Sequence, residues 1–317
     1  MPTKSDGIYT PTTNREIYIK IASDHQEIVS LTGQVINEGK PLPAGDILKI
    51  YEEAKIAKVG TGTRPMRGFA LDPARTRELP DAVAFYCSHT FLDDPVIAAI
   101  VGTGPAASYT PLQRVYAIQQ GLLRTISVWS RHYIERGAKD LNPKLADEGW
   151  AVYVGEEKDG KYPTGLAGHS VKLEQYFSRP GTLDTPIRQA MYRLHQAGAA
   201  KDQAAADAAR DEVYAKFNSI FYLGAVRGMN ESLKSAQGGF TNPAAAYQVE
   251  GYYSYMAIQP WVAKAEAAAD RTIMAYFTAA PSTLTAQKRD EAIAALNRTA
   301  SALRLPAGDV VDPATLK

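Results

Sequence analysis

The chain of 317 residues contains a single cysteine, Cys87. One thiol excludes an intrachain disulfide and is too few for a cysteine-ligated zinc site or an iron–sulfur cluster. Its apolar context predicts a buried, unreactive side chain. No apolar run approaches the roughly 18 residues of a transmembrane helix, and the polar N-terminal residues show no signal-peptide core. We therefore expect a protein that does not insert into a membrane.

An excess of charge of one sign is also absent. Lys and Arg number 35 against 34 Asp and Glu, which gives a formal net charge of +1. No overall basic field exists to hold a nucleic acid or an anionic membrane. The sequence also lacks the GxSxG motif of serine hydrolases, the phosphate-binding loop GxxxxGK[ST] and a GxGxxG motif after a strand. Nucleic-acid binding and nucleotide chemistry are therefore not indicated.

Proline placement is the clearest structural signal. A residue that caps helices well precedes proline in six pairs, in which the cap oxygen and a proline without N–H together suit a helix start. These pairs are Asp72-Pro73, Asp94-Pro95, Thr110-Pro111, Asn142-Pro143, Thr185-Pro186 and Asn242-Pro243. The pairs predict a helical protein.

Helical periodicity agrees with this interpretation. Apolar residues recur at helical spacing over 112–133, 213–221, 262–277 and 285–303, and residues 15–37 and 46–58 also read as helices. Residues 59–71 and 155–168 are rich in glycine and polar residues without a period, and we expect them to be loops. The predicted fold is all-α.

A short motif occurs twice. Residues 142–153 read NPKLADEGWAVY and residues 242–255 read NPAAAYQVEGYYSY, so both begin Asn-Pro and end Glu-Gly-aromatic-x-x-Tyr. We interpret this as an internal duplication within one globular bundle. The predicted organisation is a flexible N-terminus (1–14), a first helical half (15–160), a second half (161–305) and a C-terminal tail (306–317).

The repeated glutamates, Glu148 and Glu250, are the strongest candidates for chemistry. A carboxylate among aromatic residues is partly desolvated and needs hydrogen bonds, a cation or a metal ion. Two such carboxylates, one from each half, are expected to converge on a metal ion as in helical bundles. The chain has 18 Tyr against 8 Phe, and carboxylate with phenolate oxygens suits ferric iron. A buried glutamate that caps or pairs with a neighbouring helix is the structural alternative.

Three histidines are further candidate metal ligands: His25, His89 and His169. His25 is flanked by acidic residues, and His89 precedes Asp93 by four positions, which places both on one face if the segment is helical. No HExxH motif is present, so any histidine site must be assembled from distant segments. A purely structural role stays open for each of the three.

The segments DEGWAVYVG (147–155) and QVEGYYSYMAIQPWVAKAEAAADRTIMAYF (248–277) resemble a known family. This family comprises the iron-assimilating, iron-deficiency-induced proteins of algae, also described as high-carbon-dioxide-inducible periplasmic proteins, and their microbial relatives. The similarity extends over about residues 15–305. It implies a periplasmic or secreted protein that assists iron uptake by binding iron without turnover, beside a membrane-bound iron transporter or reductase. Only Glu148 and Glu250 lie in matching motifs.

A more remote similarity is to imelysin-like proteins, which are also duplicated, helical and iron-linked. Their GxHxxE motif is not met, because Gly168 directly precedes His169 and Glu174 follows five positions later. Two other functions stay open. One is a helical binding protein for a small organic ligand or a partner protein, and the other is an enzyme that depends on iron or another divalent or trivalent metal.

Overall fold

A computed structural model describes residues 15–76, 79–159 and 161–316, and over these ranges it confirms the all-α fold. The helices are α1 (Glu16–Glu38), α2 (Ala44–Glu53), α3 (Met66–Ala70), α4 (Pro73–Thr76), α5 (Pro80–Tyr86), α6 (Asp93–Val101), α7 (Pro111–Lys139), α8 (Pro143–Val154), α9 (Gly165–Tyr176), α10 (Asp184–Ala200), α11 (Gln203–Gln237), α12 (Thr241–Tyr255), α13 (Gln259–Ala265), α14 (Ala267–Phe277) and α15 (Ala286–Arg298). The predicted flexible N-terminus, 1–14, lies outside the described residues. Within them we find no helix whose length and hydropathy together suit a transmembrane span.

The proline pairs mark helix starts in two ways. Three helices, α4, α7 and α8, begin at the proline itself. In α8 the Asn142 side chain accepts a hydrogen bond from the Lys144 N–H at 3.1 Å, as the cap prediction requires. The other three, α6, α10 and α12, begin two residues before the proline. Proline then occupies the third helical position, where the backbone N–H also has no partner within the helix.

The second predicted helix, 46–58, is too long, because α2 ends at Glu53. Ala54 has a φ of 58°, and the next three backbone N–H groups all donate to the Asp24 carboxylate of α1. The Ile56 N–H lies 2.7 Å from the Asp24 Oδ1. A carboxylate from another helix thus captures the donors that would continue α2. The following segment, predicted as a loop, forms a hairpin of β1 (Lys58–Val59) and β2 (Gly62–Thr63) and then α3.

The apolar stripe over 262–277 belongs to two helices rather than one. Glu266 separates α13 from α14 with extended backbone, at φ −153° and ψ 91°. Its carboxylate accepts hydrogen bonds from the Arg298 guanidinium on α15, the nearer at 2.8 Å. Each helix buries its part of the stripe, with Val262 on α13 and Ile273 and Phe277 on α14.

The predicted burial of Cys87 is wrong. The residue ends α5 in the left-handed region, at φ 51°, and its side chain is exposed. The apolar stretch before it does not form a continuous buried face, because Phe85 is also exposed. At the end of α5 the Cys87 side chain is exposed to solvent, although the residues before it in the sequence are mostly apolar.

The described residues divide into two compact units, each assembled from three stretches of chain. Unit 1 contains residues 15–31, 43–76 and 122–217, and unit 2 contains residues 32–42, 79–121 and 218–316. These boundaries differ from the consecutive halves 15–160 and 161–305 that the motif repeat suggested. The boundaries fall inside α1, α7 and α11, so that each of these helices contributes to both units.

Unit 1 is built around α8, which packs on α9 and α10. Residues from Ala146 to Val154 are buried on all sides of this helix. Gly149 permits a close approach to α7, because an added Cβ would lie 2.8 Å from the Ile134 Cγ1. The Ser130 hydroxyl donates to the Gly149 carbonyl oxygen at 2.7 Å, and this hydrogen bond holds α7 and α8 together where they approach.

Unit 2 packs α14 on α12, α13 and α15. The stretch predicted as a C-terminal tail is held against α11 in this unit, where the Ser219 hydroxyl donates to Asp309 at 2.6 Å. Val311 is buried, and its N–H donates to the Tyr222 hydroxyl at 2.9 Å. Residues near the C-terminus thus form part of the core of unit 2.

A glycine contact sets the distance between α11 and α12 in unit 2. A Cβ added to Gly228 would overlap the Gly251 Cα, which is backbone and has no rotamer to change. We expect Gly228→Ala to lower the free energy of unfolding by at least about 2 kcal/mol, measured by urea denaturation. The matched control is Gly308→Ala in the same unit, where a Cβ meets nothing within 4 Å. This control should change stability by less than about 0.5 kcal/mol, and equal losses in both variants would contradict the crossing argument.

Candidate functional site

Glu148 lies on the wall of a cleft in unit 1. The cleft has a volume of about 670 Å³, and its lining also includes Arg15, Tyr18 and Arg64. The Glu148 side chain is largely buried, with a relative exposure of 8%. Helix α8 therefore carries one of the two repeated glutamates to a space large enough for a ligand.

Two tyrosines meet beside this glutamate. The Tyr133 hydroxyl on α7 donates to the Tyr18 hydroxyl on α1 at 3.1 Å, and the rings pack edge to face at 5.1 Å. Burial, the hydrogen bond to Tyr18 and the negative charge of Glu148 all raise the pKa of Tyr133 above its ordinary value. Tyr18 and Glu148 line the cleft, and Tyr133, which contacts Tyr18, is electrostatically coupled to Glu148. We name this group of Tyr18, Tyr133 and Glu148 the phenol cluster.

Two arginines, Arg15 and Arg64, line the same cleft as Glu16 and Glu148. Within the described parts of the chain, neither Arg15 nor Arg64 forms an ion pair. The Arg64 guanidinium lies over the Tyr18 ring, 5.9 Å from its centroid. This contact places a positive charge over the face of one phenol of the cluster.

Glu250 has a different environment in unit 2. Its carboxylate forms an ion pair with Arg227 of α11 and lies 3.4 Å from the Gln120 amide nitrogen. Burial raises the pKa of Glu250, and the positive charge of Arg227 opposes this change. The negative charge of Glu250 also contributes to a raised pKa of Tyr116, after the larger effect of burial. This geometry matches the structural alternative of a buried glutamate paired with a neighbouring helix. Because Glu148 and Glu250 belong to different units, their convergence stays a prediction.

The predicted histidine ligands lie at separate places in the chain. His25 is buried in α1, but the adjacent Asp24 binds backbone N–H groups and Glu27 pairs with Lys55. His89 is exposed in the turn before α6. The helical face that it was expected to share with Asp93 is therefore not formed.

His169 lies in α9 and is half-buried. Glu174, the acidic residue that follows it, accepts hydrogen bonds from the backbone N–H groups of Leu183 and Asp184 at the start of α10, at 2.7 and 2.8 Å. Across residues 15–76, 79–159 and 161–316, no group of three or more His, Cys, Asp or Glu is arranged to hold a metal ion. Tyrosine is not among these four residue types, so the phenol oxygens of Tyr18 and Tyr133 are additional oxygen donors.

The final tyrosine of each motif copy has a structural partner in its own unit. The Tyr153 hydroxyl donates to Asp184 at 3.1 Å in unit 1, and the Tyr255 hydroxyl donates to Asp270 at 2.8 Å in unit 2. Burial is the first cause of the raised pKa of both tyrosines. These two hydroxyl groups are thus engaged in the core.

Sequence reasoning did not assign Tyr18, Arg15 or Arg64 to the site. The excess of tyrosine over phenylalanine indicated polar contacts of phenols, but it did not say which tyrosines meet. Tyr18 and Tyr133 are far apart in the chain, and only the packing of α1 against α7 joins them.

Comparisons with known proteins give no further assignment. No protein-family model, no curated protein and no solved structure matches this chain. The resemblance to iron-assimilating proteins stays a prediction from the quoted segments, and the site has to be interpreted from its own geometry.

The ion pair of Arg227 and Glu250 makes a prediction for stability. In Arg227→Met the buried Glu250 carboxylate loses its counter-ion, and we expect the free energy of unfolding to fall by about 3 kcal/mol. The double variant Arg227→Met with Glu250→Met should recover most of that loss, because no charge is left buried. Chemical denaturation of each variant measures the change.

An exposed ion pair of unit 2 provides the control. Arg298 pairs with Glu266 at the surface, so Arg298→Met should cost less than about 1 kcal/mol. Equal losses in Arg227→Met and in the double variant would show that the pair is not the source of the effect.

Proposed function

We propose that unit 1 binds an oxygen-seeking metal ion as cargo, iron(III) first of all, at the phenol cluster. The observation that carries the proposal is the 3.1 Å contact between the Tyr18 and Tyr133 hydroxyl oxygens beside Glu148 at a cleft. Hard cations prefer such oxygen ligands, and phenolate and carboxylate oxygens suit ferric iron. A loaded site requires both phenols to lose their protons, as metal ligands generally must.

The charges of the cleft are consistent with this cargo. Two phenolates and one carboxylate together match the charge of iron(III). Arg15 and Arg64 repel a free cation, so a bound metal ion must gain enough from phenolate ligation to overcome that repulsion. The arginines therefore discriminate in favour of a metal ion that binds phenolate strongly, and against Mg²⁺ or Ca²⁺, which bind it weakly.

The wider role rests on the sequence resemblance. We propose that the protein assists iron uptake in the periplasm or outside the cell, beside a membrane-bound transporter or reductase. Glu250, His25, His89 and His169 are not ligands in this proposal, because the contacts described above give no arrangement around a common point with the phenol cluster. Catalysis by a bound metal remains the alternative, and a turnover assay of metal-loaded protein would distinguish the two.

Removal of one ligand should weaken metal binding strongly. Iron(III) bound to phenolate gives a visible charge-transfer band, so titration of metal-free protein with chelated iron(III) measures both binding and ligand type. We expect Tyr18→Phe and Glu148→Gln each to weaken binding at least about a hundredfold, more than the loss of an outer-shell partner does. The matched control is Tyr176→Phe on α9, which should bind as the unmodified protein does. A titration without a visible band, unchanged by Tyr18→Phe, would refute the site.

Acidification should release the metal. Burial raises the pKa of Tyr133, so at neutral pH its proton is present before binding and must leave on binding. The affinity should therefore fall as the pH is lowered and rise as the pH is raised. Titrations across a pH series measure this slope, and Tyr133→Phe should make it shallower. A pH-independent affinity would contradict phenolate ligation.

A further inference from the structure

A second cavity in unit 1 adjoins the phenol cluster. Its volume is about 320 Å³, which is at the lower end of the range for small-molecule sites. Arg64, Arg75, Phe69 and Trp129 contribute to its lining, and Tyr133 lies at its boundary with the cluster. We name this space the Trp129 cavity. Metal binding at the phenol cluster does not account for Phe69, Trp129 or Arg75.

One wall of the Trp129 cavity is flat and apolar. The rings of Phe69 and Trp129 stack with centroids 4.5 Å apart and an angle of 10° between their planes. Both side chains are largely buried, so packing holds in fixed positions the small part of each ring that lines the cavity. A stacked aromatic pair of this kind offers dispersion contact to a planar or apolar ligand group at little cost in side-chain entropy.

The polar groups of the Trp129 cavity favour an anion. Arg64 forms no ion pair within the described ranges. Arg75 is held in place by two contacts, an ion pair with Asp72 at 3.1 Å and a hydrogen bond to the His132 Nε2 at 2.6 Å. Asp72 is the one acidic residue among the described lining, and it is already engaged by Arg75. The remaining charge of the wall is positive, and guanidinium groups bind carboxylates in two-point contacts.

We infer that the Trp129 cavity binds a small organic carboxylate with a planar apolar part. The carboxylate would lie at Arg64 and Arg75, and the apolar part would lie against Phe69 and Trp129. The inference does not require a metal ion, so it is independent of the iron proposal. It names a site and a chemical class for the small-ligand binding that the sequence left open.

The test uses metal-free full-length protein and four probes: benzoate, phthalate, citrate and inorganic phosphate. Calorimetry gives the affinity, and intrinsic fluorescence reports on the three tryptophans of the chain, of which Trp129 lies in the wall. We expect the two aromatic carboxylates to bind more tightly than citrate or phosphate and to change the fluorescence. Binding of phosphate as tight as that of benzoate, without a change in fluorescence, would overturn the inference, as would a lack of binding by every probe at millimolar concentration.

Variants assign the binding to this cavity. Arg64→Gln removes an exposed guanidinium and should weaken benzoate binding by about tenfold or more, and Arg64→Lys should restore only part of it. The matched control is Arg193→Gln, an exposed arginine of α10 in the same unit, which should leave the affinity unchanged. Equal affinity in Arg64→Gln and the unmodified protein would overturn the inference even if benzoate binds. Because Arg64 is exposed, its removal is not expected to unfold the protein.

Discussion

Buried carboxylate oxygens must accept hydrogen bonds or meet a cation, and this requirement determines much of the tertiary structure. Asp24 ends α2 by binding three consecutive backbone N–H groups. Glu174 binds the N–H groups that begin α10, and Glu250 pairs with Arg227. Acidic residues in the core are thus mostly structural devices. Burial of an acid does not by itself identify a functional site, and the lining of a cleft is the more specific sign.

The sequence predicted the helices well because their causes are local. Apolar spacing and a cap residue before proline act within a few residues of chain, as the start of α8 at Pro143 shows. The breaks that were missed coincide with contacts to distant residues. The Asp24 carboxylate captures the donors after α2, and Glu266, where α13 gives way to α14, binds Arg298 of α15. No local pattern in the sequence encodes these partners.

The candidate site shows the same difference between what local sequence predicts and what distant contacts decide. Glu148 and Glu250 occupy equivalent places in their motifs, so the sequence cannot distinguish them. Their surroundings differ, because Arg227 pairs with Glu250 whereas Glu148 lines a cleft with Tyr18. Arg227 lies on α11 and Tyr18 lies on α1, so neither residue belongs to the helix that carries its glutamate. The motif therefore pointed to Glu148, which lines a cleft in unit 1, whereas only the packing places Tyr18 and the arginines beside it.

Within each unit the motif makes the same two kinds of contact. Its glycine permits close approach of the preceding long helix, at Gly149 in unit 1 and at Gly251 in unit 2. Its last tyrosine donates to an aspartate on a later helix in both units. These parallels support the predicted duplication, which stays a prediction. The copies also differ, because α8 begins at Pro143 with Asn142 as its cap, whereas α12 begins at Thr241.

The phenol cluster and the position of Arg64 beside it both depend on α1. This helix contributes Tyr18 to the cluster and Asp24 to the segment that leads into the β hairpin. Ala57 donates to Asp24, and its carbonyl oxygen accepts the Arg64 N–H at 3.0 Å. The turn between β1 and β2 uses Gly60 at φ 57°, where glycine has no steric cost. Asp24 thus anchors the hairpin whose end places Arg64 over Tyr18, so a structural carboxylate positions a charged group of the cleft.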